Sequence, residues 1–245
     1  MSGRFLVVEG PDGVGKTTLA QQVAQCSYHE AVAGLGHGDP GRPLVFISRR
    51  QVCVTSPAAA ALMDHLATML WSSGDPPELP DAFWVGLQTA WFTAHAQTVL
   101  DPLLEAGCDV LVDGWIYKLC SKLLQQGYTP TDLDVIFARV RKPDAVVLLS
   151  ADVGALFDRR QHFRPAELGM HAGYGQLGRD SFVRYQQSGL DHLRSFADRH
   201  AWGVVELDPY EPVTASAAAL AAALPPLRDP DLLLSAPDTP QGVAS

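Results

Sequence analysis

Residues 5–19 read FLVVEGPDGVGKTTL, and the fold is decided there. Phe5 to Val8 is an uninterrupted apolar run, the pattern of a central parallel strand buried on both faces. Gly10-Pro11-Asp12-Gly13-Val14-Gly15-Lys16-Thr17-Thr18 then matches G-x-x-x-x-G-K-[ST] in full, between that strand and a helical segment. Gly10, Gly13 and Gly15 let the backbone curl until successive N–H groups point inward at phosphate oxygens. A helix starting near Lys16 adds its positive N-terminal end. Lys16 supplies a point charge for the β- and γ-phosphates, and Thr17 offers a hydroxyl to Mg²⁺. The ligands implied by residues 10–18 are therefore ATP and Mg²⁺.

Outward from this loop the chain alternates. Strands are expected at Leu44–Ile47, Val110–Val112, Ala145–Leu149 and Val204–Leu207. Helices are expected over Thr18–Gln25, Thr55–Trp71, Asp81–Ala106 with a break at Pro102, Trp115–Gln126, Thr131 or Asp132 to Lys142, Val153–Phe163, Phe182–His200 and Thr214–Leu224. His29–Pro43 reads as a loop. Arg164–Gly178 holds four glycines, a proline and no sustained apolar period, and reads as a mobile lid. The expected architecture is α/β: a three-layer P-loop NTPase sandwich with about five parallel strands, helices on both faces and a LID segment. One domain is expected over 1–225, its LID at about 160–179, followed by a loose tail at 226–245.

Composition narrows the class. The 245 residues are 47% apolar and 18% charged, the balance of a packed globular chain. A net charge of −9 argues against a nucleic-acid or anionic-membrane partner. Cys26, Cys53, Cys108 and Cys120 form no C-x-x-C pair, which removes zinc-ribbon and thioredoxin readings and points to a reduced, cytoplasmic setting. The N-terminus is too short and too weakly basic before the glycine loop for a signal peptide, and no stretch approaches the ~20 apolar residues of a membrane span. No Asn-Lys-x-Asp guanine-reading motif is present.

The opening segment resembles the start of thymidylate kinases, which read F-[IV]-x-[FV]-E-G-x-D-G-[AS]-G-K-[ST]-T. Further landmarks follow in order over about residues 4–210: Ser48-Arg49 after the second strand, His95-Ala96-Gln97 before the third, Val112-Asp113 at its end, Pro143-Asp144 opening the fourth, and Arg159-Arg160 entering the LID. The resemblance implies an ATP-dependent small-molecule kinase that phosphorylates a nucleoside monophosphate, acting as a homodimer on a nucleotide or nucleoside-like acceptor. It gives Lys16, Asp113, Arg160 and Arg164 catalytic roles, with Thr17 and Asp113 at the metal. Glu9, Asp12, Arg49, Gln97 and Lys118 face the acceptor.

Each role has a plainer counterpart. Asp113 also suits a cap on the following helix, Asp12 an Asx turn before Gly13, and Glu9 a surface carboxylate. Lys118 and Lys122, one turn apart on one helix face, are ordinary helix lysines or stand in for an arginine beside the acceptor. Trp84, Trp91, Phe92 and Trp115 form core or a stacking wall. Arg159, Arg160, Arg164 and Arg179 bracket the lid. Two departures from the family pattern affect the acceptor. Glu-Pro-Gly-Gly after the Thr-Arg is here Arg50-Gln51-Val52-Cys53, and Asp-Arg-Tyr is Asp113-Gly114-Trp115. They leave open a nucleoside or specialised-metabolite kinase on the same fold, or a non-catalytic ATP-binding protein.

Overall fold

The computed structural model describes residues 2–35, 43–73 and 78–226. Its centre is an all-parallel sheet of six strands: β1 Phe5–Glu9, β2 Cys26–Ser27, β3 Leu44–Ile47, β4 Asp109–Val112, β5 Ala145–Ser150 and β6 Gly203–Glu206. Their order is β2-β3-β4-β1-β5-β6. The extra strand relative to the sequence expectation is β2, which pairs Cys26 with Val45 and Ser27 with Phe46. Two residues are too few to carry a periodic signal.

The strands alternate as a doubly covered sheet requires. Phe5 and Val7 of β1 join a core with Val110 and Val112 of β4, while Leu6, Val8 and Leu111 join the opposite core. The first face is covered by α3 (Pro57–Ser72), α4 (Asp81–His95), α5 (Asp101–Glu105) and α6 (Tyr117–Gln125). The second is covered by α1 (Lys16–Val23), α8 (Val153–Asp158), α9 (Arg179–His200) and α10 (Val213–Ala223). Tyr28–Leu35 forms α2 and Pro130–Ile136 forms α7. From β1 the chain builds the sheet to one side, then crosses to β5 and β6 on the other. The crevice outside the carboxyl ends of the strands at this switch is where open α/β sheets bind ligands.

Several local expectations are corrected. Where loop is expected from His29, Tyr28–Leu35 is helical because Tyr28 and Ala31 are buried and Glu30 accepts from the Ser27 amide and hydroxyl, each at 2.7 Å. The rest of that expected loop, 36–42, lies outside the described residues, as does the expected tail beyond Pro226. The long helix breaks into α4, a π turn at Ala96–Leu100, and α5 with Pro102 in its first turn. The helix expected from Thr131 or Asp132 to Lys142 starts at Pro130 and ends at Ile136. Thr129 is its N-cap, in a reciprocal capping box with Asp132. The helix after β5 stops at Asp158 rather than Phe163. Within the expected lid, Met170–Ala172 is a short 3₁₀ turn. Among the described residues no helix is long and apolar enough to cross a membrane.

Gly10 makes the turn out of β1 at φ 151°. A Cβ there would stand 2.5 Å from the Leu149 carbonyl oxygen, inside the β1–β5 pairing. Gly10→Ala should therefore destabilise the fold by about 2 kcal/mol or more. Differential scanning calorimetry should find its Tm about 4–8 °C below wild type.

Candidate active site

The loop after β1 runs into α1 through Gly13 (φ 87°) and Gly15 (φ 103°), both left-handed. Lys16 folds back over it, its Nζ donating to the Gly10 and Pro11 carbonyls at 2.8 Å each. Thr17 Oγ1 donates to Asp113 Oδ2 at 2.5 Å, and the Arg49 amide donates to Asp113 Oδ1 at 2.7 Å. Asp113, just past β4, therefore joins the phosphate loop to the end of β3.

Beside the loop lies a second set of buried charges. Lys118 Nζ stands 2.5 Å from Asp12 Oδ1. Burial alone would raise the Asp12 pKa, but Lys118, then Lys16 and Lys122, hold its carboxylate well below the ordinary range. Gln186 of α9 clamps Asp12 from the other side. Its Oε1 accepts the Asp12 amide at 3.0 Å, and its Nε2 donates to Asp12 Oδ2 at 3.0 Å and to the Glu167 carbonyl at 2.9 Å. Lys16 is half-buried, and this partial desolvation, with Lys118 and Arg49 close by, brings it down to about 7. An anion arriving here meets cations already partly desolvated.

Asp12, Lys118, Lys122, Arg49, Arg50 and Arg164 line a cavity of about 330 Å³, walled by Trp71, Trp84, Phe92 and Trp115. Arg50 lies over the Trp71 ring, 4.9 Å from its centroid. Trp84, Phe92 and Trp115 thus reach the cavity, whereas Trp91 is core, spending its indole N–H on the Arg49 carbonyl at 2.9 Å.

The lid arginines divide. Arg160 lies against the phosphate loop: a Cβ at Gly13 would stand 2.9 Å from its Cδ. Its Nη2 donates to Glu167 at 3.0 Å, and among the described residues its buried Nη1 has no hydrogen-bond partner. Arg159 donates to the Gly13 carbonyl and, at 2.9 Å, to that of Pro209. Arg164 reaches the cavity instead. Arg179 is exposed and paired with Asp158.

Two residues expected at the acceptor are elsewhere. Glu9 is fully buried under the site, where its Oε1 accepts the Trp115 amide at 2.9 Å and burial raises its pKa. That bond holds residues 113–116 off the helix, so α6 begins at Tyr117 rather than Trp115. Gln97 is exposed in the π turn and lines a different groove with Ala90, Thr93 and Ala94. The π turn shifts the helical phase and carries it away from the cavity.

No protein-family model matches the chain. It is 30% identical over 165 residues to a thymidylate kinase of Synechococcus sp. (strain CC9311), covering 64% of this chain and 71% of that protein. The chain belongs to the thymidylate kinase family. A second thymidylate kinase, from Synechococcus sp. (strain RCC307), is 32% identical over 138 residues, 56% of this chain and 58% of that one. Among solved structures, the thymidylate kinase of Ehrlichia chaffeensis superposes with a TM-score of 0.58 at 14% identity, covering 91% of this chain and 98% of that chain. That of Candida albicans superposes with a TM-score of 0.56 at 16% identity, covering 89% of each. At these identities the superpositions show the fold.

Gly114 and His95 both stand where the thymidylate kinase pattern has an arginine. Where the family's Asp-Arg-Tyr carries an arginine, Gly114 (φ 128°) leaves room and Arg49 lies across it: a Cβ there would be 3.6 Å from Arg49 Cδ. Where the family has an arginine before Ala-Gln, His95 is fully buried between Trp91 and Trp115, and its Nε2 donates to the Ser48 carbonyl at 3.2 Å. Burial lowers its pKa from 6.5 to about 4, only partly countered by the Ser48 carbonyl and Asp113. His95 is thus neutral in the folded protein and holds the turn that carries Arg49 and Arg50. Gln186 and Arg50 are site residues that sequence reading missed. Gln186 lies on a helix whose polar residues carry no motif, and Arg50 falls where the chain departs from the family pattern.

A depressed histidine pKa stabilises the fold above the unfolded value of 6.5 and loses that contribution as pH falls toward about 4. Between pH 7 and pH 5 the wild type should lose about 2 kcal/mol through this residue. Urea unfolding of His95→Phe at the two pH values should show that increment missing.

Proposed function

We propose that the protein transfers the γ-phosphoryl group of ATP to a nucleoside monophosphate, with dTMP as the acceptor to test first. The observation that carries this reading is the cavity beside the phosphate loop, where Arg49, Arg50, Lys118, Lys122 and Arg164 outnumber Asp12, Asp81 and Glu167 among aromatic walls. An aromatic wall suits a base, and an excess of cations suits a phosphate on the acceptor. A neutral nucleoside would bring no charge to offset that excess of cations, which disfavours the nucleoside-kinase alternative.

The donor side fits ATP and Mg²⁺. A side chain at Gly13 would meet Arg160, its Cβ 2.9 Å from Arg160 Cδ, and among the described residues the buried Arg160 Nη1 has no hydrogen-bond partner. Thr17 and Asp113 supply hard oxygen atoms. Among the described residues no three His, Cys, Asp or Glu side chains converge on one point, as suits a cation held by one or two protein oxygens and the substrate's phosphates. Bound Mg²⁺ would neutralise charge on the transferring group. Lys16 and the amides of residues 13–17 would hold the β- and γ-phosphates, and Thr17 and Asp113 would hold the metal. Arg49 and Lys118 would bind the acceptor phosphate, and Asp12 would accept a sugar hydroxyl. Arg160, with Arg159 anchoring the lid to Gly13, would meet the equatorial oxygens of the phosphoryl group in flight. Catalysis on this reading is alignment and charge stabilisation. The family resemblance also supports a cytoplasmic homodimer.

Turnover with ATP, Mg²⁺ and a panel of nucleosides and nucleoside monophosphates tests the reading. Monophosphates should be phosphorylated and nucleosides should not. Lys16→Met should lower kcat about 10²-fold or more with the fold intact by circular dichroism. Phosphorylation of nucleosides in preference to monophosphates, or full activity of folded Lys16→Met, would overturn it.

A further inference from the structure

Helix α6 has two working faces. One presents Lys118 and Lys122 to the acceptor cavity. The other presents Tyr117 and Cys120 to a separate, larger cavity of about 620 Å³, enclosed by α6, α7, the end of α9 and the amino-terminal ends of β5 and β6. Its mouth therefore opens at the edge of the sheet opposite the phosphate loop. The volume and mainly apolar lining are those of a small-molecule site.

Three observations give it a chemical character. Its wall is aromatic: Trp202 meets Tyr117 edge-on, with ring centroids 4.6 Å apart, and Phe196 completes the group at 6.1 Å from Tyr117. Trp202 is aimed there by Ala201, at φ 52° the only non-glycine residue with positive φ among the described residues. A left-handed alanine costs about 1 kcal/mol, and here it ends α9 and turns the indole inward. Lys142, Arg199 and His200 stand at the same cavity, and among the described residues neither Lys142 nor Arg199 has a salt-bridge partner. Of the two carboxylates there, Asp144 is bound to the Phe5 amide at 2.7 Å, leaving Asp134 at the rim.

We propose that this cavity binds a planar aromatic molecule carrying one acidic group, its ring against Trp202 and Tyr117 and its anion on Lys142 and Arg199. Occupancy is felt at the acceptor site, because Tyr117 and Lys118 are consecutive residues of one short helix. Buried Glu9 lies between, within electrostatic reach of Tyr117 and Cys120 on one side and of Lys118 and Arg49 on the other. The coupling rests on the acceptor reading above, whereas the site does not.

The probe is 8-anilinonaphthalene-1-sulfonate, an aromatic sulfonate, titrated by fluorescence into the full chain with and without saturating ATP and Mg²⁺. One-to-one binding should persist with ATP present and weaken about tenfold in Lys142→Glu/Arg199→Glu, two exposed positions whose reversal leaves the core alone. Absence of binding, binding unchanged in that variant, or displacement by ATP would each overturn the site. Bound probe should also change the KM for the acceptor about fivefold while leaving that for ATP unchanged. If the probe binds and the acceptor KM does not move, the coupling is overturned. Because probe binding is read without turnover, an inactive enzyme would refute the kinase reading and leave this one standing.

Discussion

The Asp113 carboxylate is the point on which the site depends. One oxygen takes the Thr17 hydroxyl and the other the Arg49 amide, so a single side chain at the end of β4 sets the distance between the phosphate loop and the turn after β3. Its neighbours are fixed for that purpose. Glu9 ties down the Trp115 amide two residues on, and Trp91 and His95 hold the Arg49 and Ser48 carbonyls from behind. The phosphate loop after β1 and the turn after β3 are thereby bridged from β4, the strand between them, and every residue of β1 and β4 is buried.

Around that frame the protein keeps an unusual concentration of buried charge. Lys118 is buried and Asp12 and Lys16 are half-buried, which is costly unless each finds a partner. Asp12 satisfies Lys118, Gln186 satisfies Asp12, and Lys16 borrows two loop carbonyls. The last arrangement is the weakest, and partial burial beside two other cations brings the lysine down to about 7. Phosphate oxygens would relieve it. Electrostatic preorganisation of this kind needs little rearrangement when a charged substrate arrives.

The fold was largely legible in the sequence because its cause is local. An apolar strand, a glycine loop and a helix follow one another within residues 5–23, and later strands repeat as short apolar runs. What escaped were elements whose cause is tertiary. Strand β2 exists because Val45 and Phe46 offer it an edge. Helix α2 exists because Tyr28 and Ala31 are buried. The site followed the same rule. Lys16, Thr17, Asp12 and Asp113 were readable from one loop and one strand end. Gln97 was misplaced because a π turn changes the phase of a helix without any sequence mark. Glu9 was misplaced because its partner, the Trp115 amide, lies 106 residues away. Gly114 could be read as a lost arginine, but only the fold shows Arg49 lying over the space it leaves.

The most direct test of Asp113 as the junction is the single-turnover rate of Asp113→Asn with ATP, Mg²⁺ and dTMP. The substitution keeps the shape and removes the charge. The expected result is a fall of about 10²-fold or more in the phosphoryl-transfer step, together with weaker acceptor binding, since the Arg49 turn loses its anchor. A folded Asp113→Asn protein with a near wild-type rate and unchanged acceptor affinity would contradict it.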